Sequence, residues 1–177
     1  MPAIDYLNAL EAKEAQKALQ HCCGVTRWVE QMIDKRPFAD NKTLFETADE
    51  IWWGLTDADW REGFSQHPKI GDINTLRAKL SNTKNLSAHE QVNVRIASEA
   101  VLQRLARGNQ LYEEKFGYIF IVNATGKSAT EMLNLLEQRL SNDAQTEIKI
   151  AAEEKRKITR IRLEKLLKKL ASLQNEQ

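Results

Sequence analysis

The sequence predicts an all-α protein, a single compact multi-helix domain over residues 1–177 with one short extended segment near 118–122. Three observations lead there. Glycine and proline together number ten, 7 and 3, in 177 residues, while Ala, Leu, Glu, Lys and Gln, the strong helix formers, fill the chain. Apolar residues recur at helical spacing over long stretches. A chain of this length with 42% hydrophobic and 29% charged residues has enough material for one sizeable core and too little for two comfortable ones. Many-turned sandwiches and barrels, collagen and low-complexity disorder are poorly supported. Neither an internal repeat nor a Gly/Ser/Pro linker interrupts the chain.

Residues 4–20 and 43–54 have helical character. Thr56, with Asp59 three residues on, starts a short helix toward Phe64, because a threonine N-cap and an acidic third position satisfy each other's backbone amides. His67-Pro68 stops it, since the residue before proline is pushed out of the helical region. Lys69 to Asp72 reads as a loop, a short amphipathic piece ends near Leu80, and Ser81 to Asn85 is a polar connection. Ser87-Ala88-His89-Glu90 is a capping box, and Val94, Ala97, Val101 and Leu105 carry the helix it opens to Gly108. Tyr118 to Val122 is aromatic and β-branched between Gly117 and Gly126, which predicts a short extended segment too small to build a sheet. Ser128 with Glu131 opens a helix to about Leu140, and Asn142-Asp143 precedes a last helix from about Gln145 to near Leu170.

Charge and cysteine content narrow the function classes. The 26 basic and 25 acidic residues leave +1, which gives no global reason to expect nucleic acid or an anionic membrane as partner. Cys22 and Cys23 are adjacent, so neither a disulfide framework nor a four-thiolate zinc site is available, and a reducing compartment fits best. The acidic N-terminal stretch has no apolar run behind a basic start, and no segment approaches the roughly 20 apolar residues of a membrane span. The expected address is cytoplasmic. The terminal LQNEQ is not a peroxisomal Ser-Lys-Leu signal.

Several residues could carry chemistry. An imidazole can take and give a proton near neutrality, and the pre-proline position of His67 holds the ring at a helix end, although a solitary histidine is also an ordinary surface or structural residue. Glu90 is explained by its capping-box position alone; equally, a carboxylate held at a helix N-terminus beside the amide of Gln91 could orient an imidazole or polarise a substrate. On the last helix Ile158, Ile161, Leu163, Leu166, Leu167 and Leu170 define one apolar face, and Arg162 falls between Ile158 and Leu166 near its middle. A guanidinium there requires an anion, either an internal Glu or Asp or a substrate carboxylate gripped in bidentate fashion. The three histidines have no ligand spacing, so no catalytic metal is expected. Thr125 to Ser128 imitates the tail of a phosphate loop, but Ile121 stands where the earlier glycine is required. Lys155 to Leu170 is diluted by acidic residues against a membrane or nucleic-acid role. Trp28, Trp52, Trp53 and Trp60 fit core or interface packing better than a ligand-stacking cluster.

Taken in order, His67-Pro68-Lys69-Ile70-Gly71-Asp72, Ser87-Ala88-His89-Glu90-Gln91, Lys115 to Val122, Arg139 to Asp143 with Glu147, and Ile158 to Leu163 form a pattern. With Arg36-Pro37-Phe38 near the start, it resembles the 2-oxo-4-hydroxy-4-carboxy-5-ureidoimidazoline (OHCU) decarboxylase family of urate breakdown over nearly the whole chain. The resemblance implies that family's all-helical fold, a homodimer, and a cofactor-free lyase converting OHCU to (S)-allantoin and carbon dioxide. It implies that His67 and Glu90 are catalytic, that Arg162 binds substrate, and that Pro68, Ser87, Gln91 and the backbone around Ile119 and Ile121 complete the pocket wall.

The chemistry suits those residue types. Decarboxylation leaves an electron pair, and the unsaturated ring carbon of OHCU can accept it, so the substrate supplies the sink that an organic cofactor otherwise provides. The protein must orient the scissile bond, stabilise charge moving onto the ring and deliver a proton to one face. The competing expectation is a non-catalytic helical interaction module in which His67 is a loop residue, Glu90 a cap, Arg162 an internal ion pair and the tryptophans a partner surface. A second alternative keeps the fold and changes the substrate to another ureido or purine-derived acid.

Overall fold

The computed structural model describes residues 1–67 and 88–173, with 88–98 as backbone only, and these contain eight α-helices and no strand. They are α1 (Ala3–Ala9), α2 (Ala12–Cys22), α3 (Thr26–Asp34), α4 (Asn41–Trp53), α5 (Asp57–Ser65), α6 (Ala88–Phe116), α7 (Ala129–Leu140) and α8 (Ala144–Ser172). The expected loop at 69–72, the piece ending near Leu80, the connection at 81–85 and the Ser87 cap lie outside the described residues. By internal contacts the chain divides into two compact units, residues 1–66 with 152–177 and residues 67–151.

In the first unit, the helix expected over 4–20 is two helices. Leu10 leaves the helical region at φ −61°, ψ 140°, and Glu11 caps α2. No glycine or proline marks this break. Arg36 Nη1 donates to the carbonyls of Leu7 and Leu10, each at 2.9 Å, and Asn8 exchanges two 2.8 Å hydrogen bonds with the backbone of Phe38. Side chains and backbone some thirty residues away thus hold the end of α1, satisfying carbonyls a helix terminus leaves open. Helix α3, absent from the expected elements, buries Trp28, Val29 and Met32 at the spacing of one helical face.

Of the two side-chain caps among the described residues of this unit, the Thr56 cap is expected from the sequence and the Asp40 cap is not. Asp40 accepts from the Thr43 amide at 2.7 Å and starts α4; that bond holds the Asp40 carboxyl below its usual range. Thr56 and Asp59 make the reciprocal capping box that opens α5. Three of the four tryptophans are core packing residues, as expected. The buried indoles of Trp28, Trp52 and Trp60 donate to the carbonyls of Ala48, Ala152 and Trp52 at 3.0–3.1 Å, whereas Trp53 is 44% exposed and sits edge-on to Trp60.

The second unit is built on α6 and α7. Helix α6 does not stop at Gly108 but runs eight residues further. A Cβ at Gly108 would stand 2.7 Å from Leu136 Cδ2, so this glycine lets α7 approach α6 closely instead of ending the helix. The end comes at Gly117, whose φ of 81° is left-handed. Residues 118–122 are non-helical, as expected, and pair with no strand among the described residues. Tyr118, Phe120, Ile121 and Val122 are buried there. Ser128 caps α7 through the Glu131 amide at 3.1 Å. Lys115 Nζ donates to the carbonyls of Leu140 and Asn142 at 2.6 and 2.9 Å, a cation placed on the carbonyl end of α7.

Candidate active site

The face of α8 that turns inward is not the one the apolar pattern predicts. Ala151, Ala152, Lys155, Thr159, Leu163, Leu167 and Leu170 are buried, while Ile158, Ile161 and Leu166 are half-buried. A lysine and a threonine occupy the centre of the stripe, which is why counting apolar side chains rotates the face by a fraction of a turn. Arg162 is half-buried at its edge. At 100° per residue Arg162 and Lys155, seven residues apart, lie roughly 20° from one another around the helix.

In the first unit these two cations are electrostatic neighbours of the two cysteines that end α2. Lys155 is 1% exposed. Burial depresses its ammonium, which Cys23 and Cys22 oppose and the Arg162 charge reinforces. Burial pushes the Cys22 thiol up to about 12, with Cys23 adding to it, and raises the Cys23 thiol as well, outweighing the pull of both cations. Both sulfurs are therefore neutral near pH 7 and offer the cations no counter-charge. Other acids on α8 already have partners. Glu153 pairs with Arg156 at 2.7 Å, Glu154 with Lys157 at 3.0 Å and Glu164 with Arg160 at 3.4 Å, while Asp49 also meets Arg156. Among the described residues no carboxylate pairs with Arg162 or Lys155, so the internal ion pair that would have explained Arg162 structurally is not found there.

The remaining candidates fall elsewhere. His67 follows Gln66, the C-cap of α5, is half-buried and has its Nδ1 shielded from solvent. Glu90 is the third residue of α6 and Gln91 the fourth, both described as backbone; Pro68 and Ser87 lie outside the described residues. Ile119 is half-buried and Ile121 fully buried in the second unit. The Ile121 carbonyl accepts from Arg139 Nη1 at 2.6 Å. Arg162 thus gathers with Lys155, Cys22 and Cys23 in one unit, and Ile119 and Ile121 belong to the other with His67 at its first position. Among the described residues no cluster of three His, Cys, Asp or Glu could hold a metal. A cleft of about 500 Å³ lined by Gln16, Gln20, Glu30 and Asp34 contains none of these candidates.

Arg139 and Glu147, which belong to the sequence pattern without an assigned role, organise the segment around Ile121. Glu147 is fully buried; its Oε1 accepts from Arg139 Nε at 2.7 Å and from the Tyr112 hydroxyl at 2.5 Å, and its Oε2 accepts from Asn142 at 3.0 Å. The Arg139 guanidinium also stacks 4.5 Å from the Phe120 ring. Burial raises the Tyr112 phenol, keeping it a donor. This network fixes the backbone at Ile121 from below.

The family model for OHCU decarboxylase matches residues 8–164. The chain belongs to the OHCU decarboxylase family. It is 35% identical over 156 residues to the uric acid degradation bifunctional protein TTL of Arabidopsis thaliana, covering 88% of this chain and 48% of that protein. It is 29% identical over 133 residues to the 2-oxo-4-hydroxy-4-carboxy-5-ureidoimidazoline decarboxylase of Amia calva, covering 75% of each. The chain thus spans about half the length of the bifunctional plant relative. A crystal structure of OHCU decarboxylase in the presence of (S)-allantoin shares its fold at a TM-score of 0.68 and 33% identity, over 90% of this chain and 99% of that one. The all-helical fold is that of the family.

Lys155 is the residue sequence reasoning missed. It reads as the first member of a solvated basic run, and the available signal is its seven-residue spacing to Arg162 together with the small residues Ala151 and Ala152 one turn before it.

Proposed function

We propose that this chain is a cofactor-free carboxy-lyase that converts OHCU to (S)-allantoin and carbon dioxide in urate breakdown. The observation that carries the reading is Arg162, a half-buried guanidinium with no carboxylate partner among the described residues, inside the span matched by the family model. A permanently charged planar fork with no acid partner among the described residues is suited to an anionic or carbonyl group of a substrate.

In this reading Arg162 holds such a group, and His67 and Glu90 do the acid/base and orienting work around the C4 hydroxyl and carboxylate. Pro68, Ser87, Gln91 and the backbone at Ile119 and Ile121 complete the wall. The electron pair released with carbon dioxide flows into the conjugated ring, and protonation on one face sets the S configuration. Continuity of the family match from 8 to 164 favours one OHCU decarboxylase domain, acting as a homodimer in the cytoplasm. Among the described residues no helix is long and apolar enough to cross a membrane.

OHCU decays spontaneously to racemic allantoin, so the deciding experiment generates it in situ and follows optical activity with and without the protein. An enantiomeric excess of (S)-allantoin, formed faster than spontaneous decay, is expected. A racemic product at the uncatalysed rate would refute the assignment.

A further inference from the structure

Lys155 invites a question that the assignment of Arg162 leaves open. Its stem is packed, with Cε 3.8 Å from where a side chain on Gly63 would begin, and the residue is 1% exposed. Among the described residues no hydrogen bond or ion pair holds its ammonium, and its sulfur neighbours are uncharged near neutrality. Burying a cation beside a second cation is unfavourable unless an anion compensates both. A lysine kept only for packing would be improved by an apolar residue of the same length, yet here the ammonium shares a face of α8 with the substrate-binding candidate.

We propose that Lys155 is a positioning residue which, through Arg162, makes this face of α8 select an organic carboxylate over an uncharged ligand of similar shape. Lys155 adds positive potential at the Arg162 guanidinium, and a bound monoanion relieves the repulsion between the two cations. The inference rests on the reading of Arg162 as a substrate-binding residue. It extends that reading by naming the second charge and the property it confers, discrimination by ligand charge.

The test compares two ligands, allantoate as the carboxylate and (S)-allantoin as the neutral molecule, by calorimetric titration against wild type, Lys155→Met and Arg162→Met, with thermal melts of each. Lys155→Met is expected to weaken allantoate at least ~10-fold, the scale of removing one unit charge roughly 10 Å away inside a protein, to leave (S)-allantoin within about twofold, and to melt no lower than wild type. That combination separates a charge-selecting lysine from a structural one. Unchanged allantoate affinity in Lys155→Met, with Arg162→Met impaired, would overturn the inference about Lys155 alone. Unchanged allantoate affinity in Arg162→Met, or no allantoate binding by wild type, would overturn the Arg162 reading and this inference with it. Lowered melting in both Lys155→Met and Lys155→Gln would make Lys155 an ordinary structural residue and also overturn it.

Discussion

Replacing Glu147 by leucine removes the acceptor at the centre of the second unit. The carboxylate takes hydrogen bonds from Arg139 Nε, the Tyr112 hydroxyl and Asn142, and pairs with Arg139 Nη2 at 2.6 Å. Without it Arg139, 6% exposed, keeps the Ile121 carbonyl, a long 3.4 Å hydrogen bond to the Tyr112 hydroxyl and the flanking aromatic rings, but no counter-charge. Leaving one partner of a buried ion pair uncompensated costs about 3–5 kcal/mol. For a chain of this size each kcal/mol moves the melting point by roughly 2–4 °C, so Glu147→Leu should melt roughly 6–20 °C lower. Urea and thermal unfolding of the wild type, Glu147→Leu, Arg139→Met and the double variant measure it. The double variant should be more stable than Glu147→Leu, because no charge is then stranded, yet below wild type because the Ile121 carbonyl has lost its donor. A loss under about 1 kcal/mol in Glu147→Leu, or a double variant showing the plain sum of the single losses, would refute the view that this network fixes the segment at Ile121.

Other outcomes follow from the same structure. His67→Ala and Glu90→Ala should each lower turnover about 10²- to 10⁴-fold with the circular dichroism spectrum intact; near-normal kinetics in either would remove that residue from the chemistry. Arg162→Lys should raise KM, since a point charge replaces a planar fork, and unchanged steady-state constants would return Arg162 to a structural role. Cys22 and Cys23 should resist alkylation at pH 8 in the folded protein and react readily in denaturant. Because both folded thiols titrate above their ordinary value of 9.0, their contribution to stability is fully present below pH 9 and is lost as pH rises, for Cys22 toward about 12. Rapid labelling of the native protein at pH 8 would contradict the burial that neutralises them.

Local chemistry made part of this fold legible. Thr56 with Asp59 and Ser128 with Glu131 mark helix starts because their bonding partners lie three residues away. The non-helical segment after Gly117 was legible for the same reason, a run of β-branched and aromatic residues behind a glycine. What escaped was set by distant parts of the chain. The break at Leu10 depends on Arg36, and the helical continuation through Gly108 depends on Leu136. The inward face of α8 is centred on Lys155 and Thr159, which a hydrophobic pattern assigns to solvent. Arg162 was legible as a cation near an apolar face, but its electrostatic neighbours were not, because Cys22 and Cys23 come from the end of α2, some 140 residues earlier. The roles of Arg139 and Glu147 were equally hidden, since motif order says which residues recur and not which atoms they satisfy.

His67, Glu90 and Arg162 are expected to serve one ligand. A crystal structure of this chain soaked with (S)-allantoin tests it most directly. The expected result is product density in hydrogen-bond reach of the Arg162 guanidinium, with the His67 ring and the Glu90 carboxylate against the same molecule. Product bound away from Arg162, with the imidazole, the carboxylate and the guanidinium in unconnected surroundings, would contradict it.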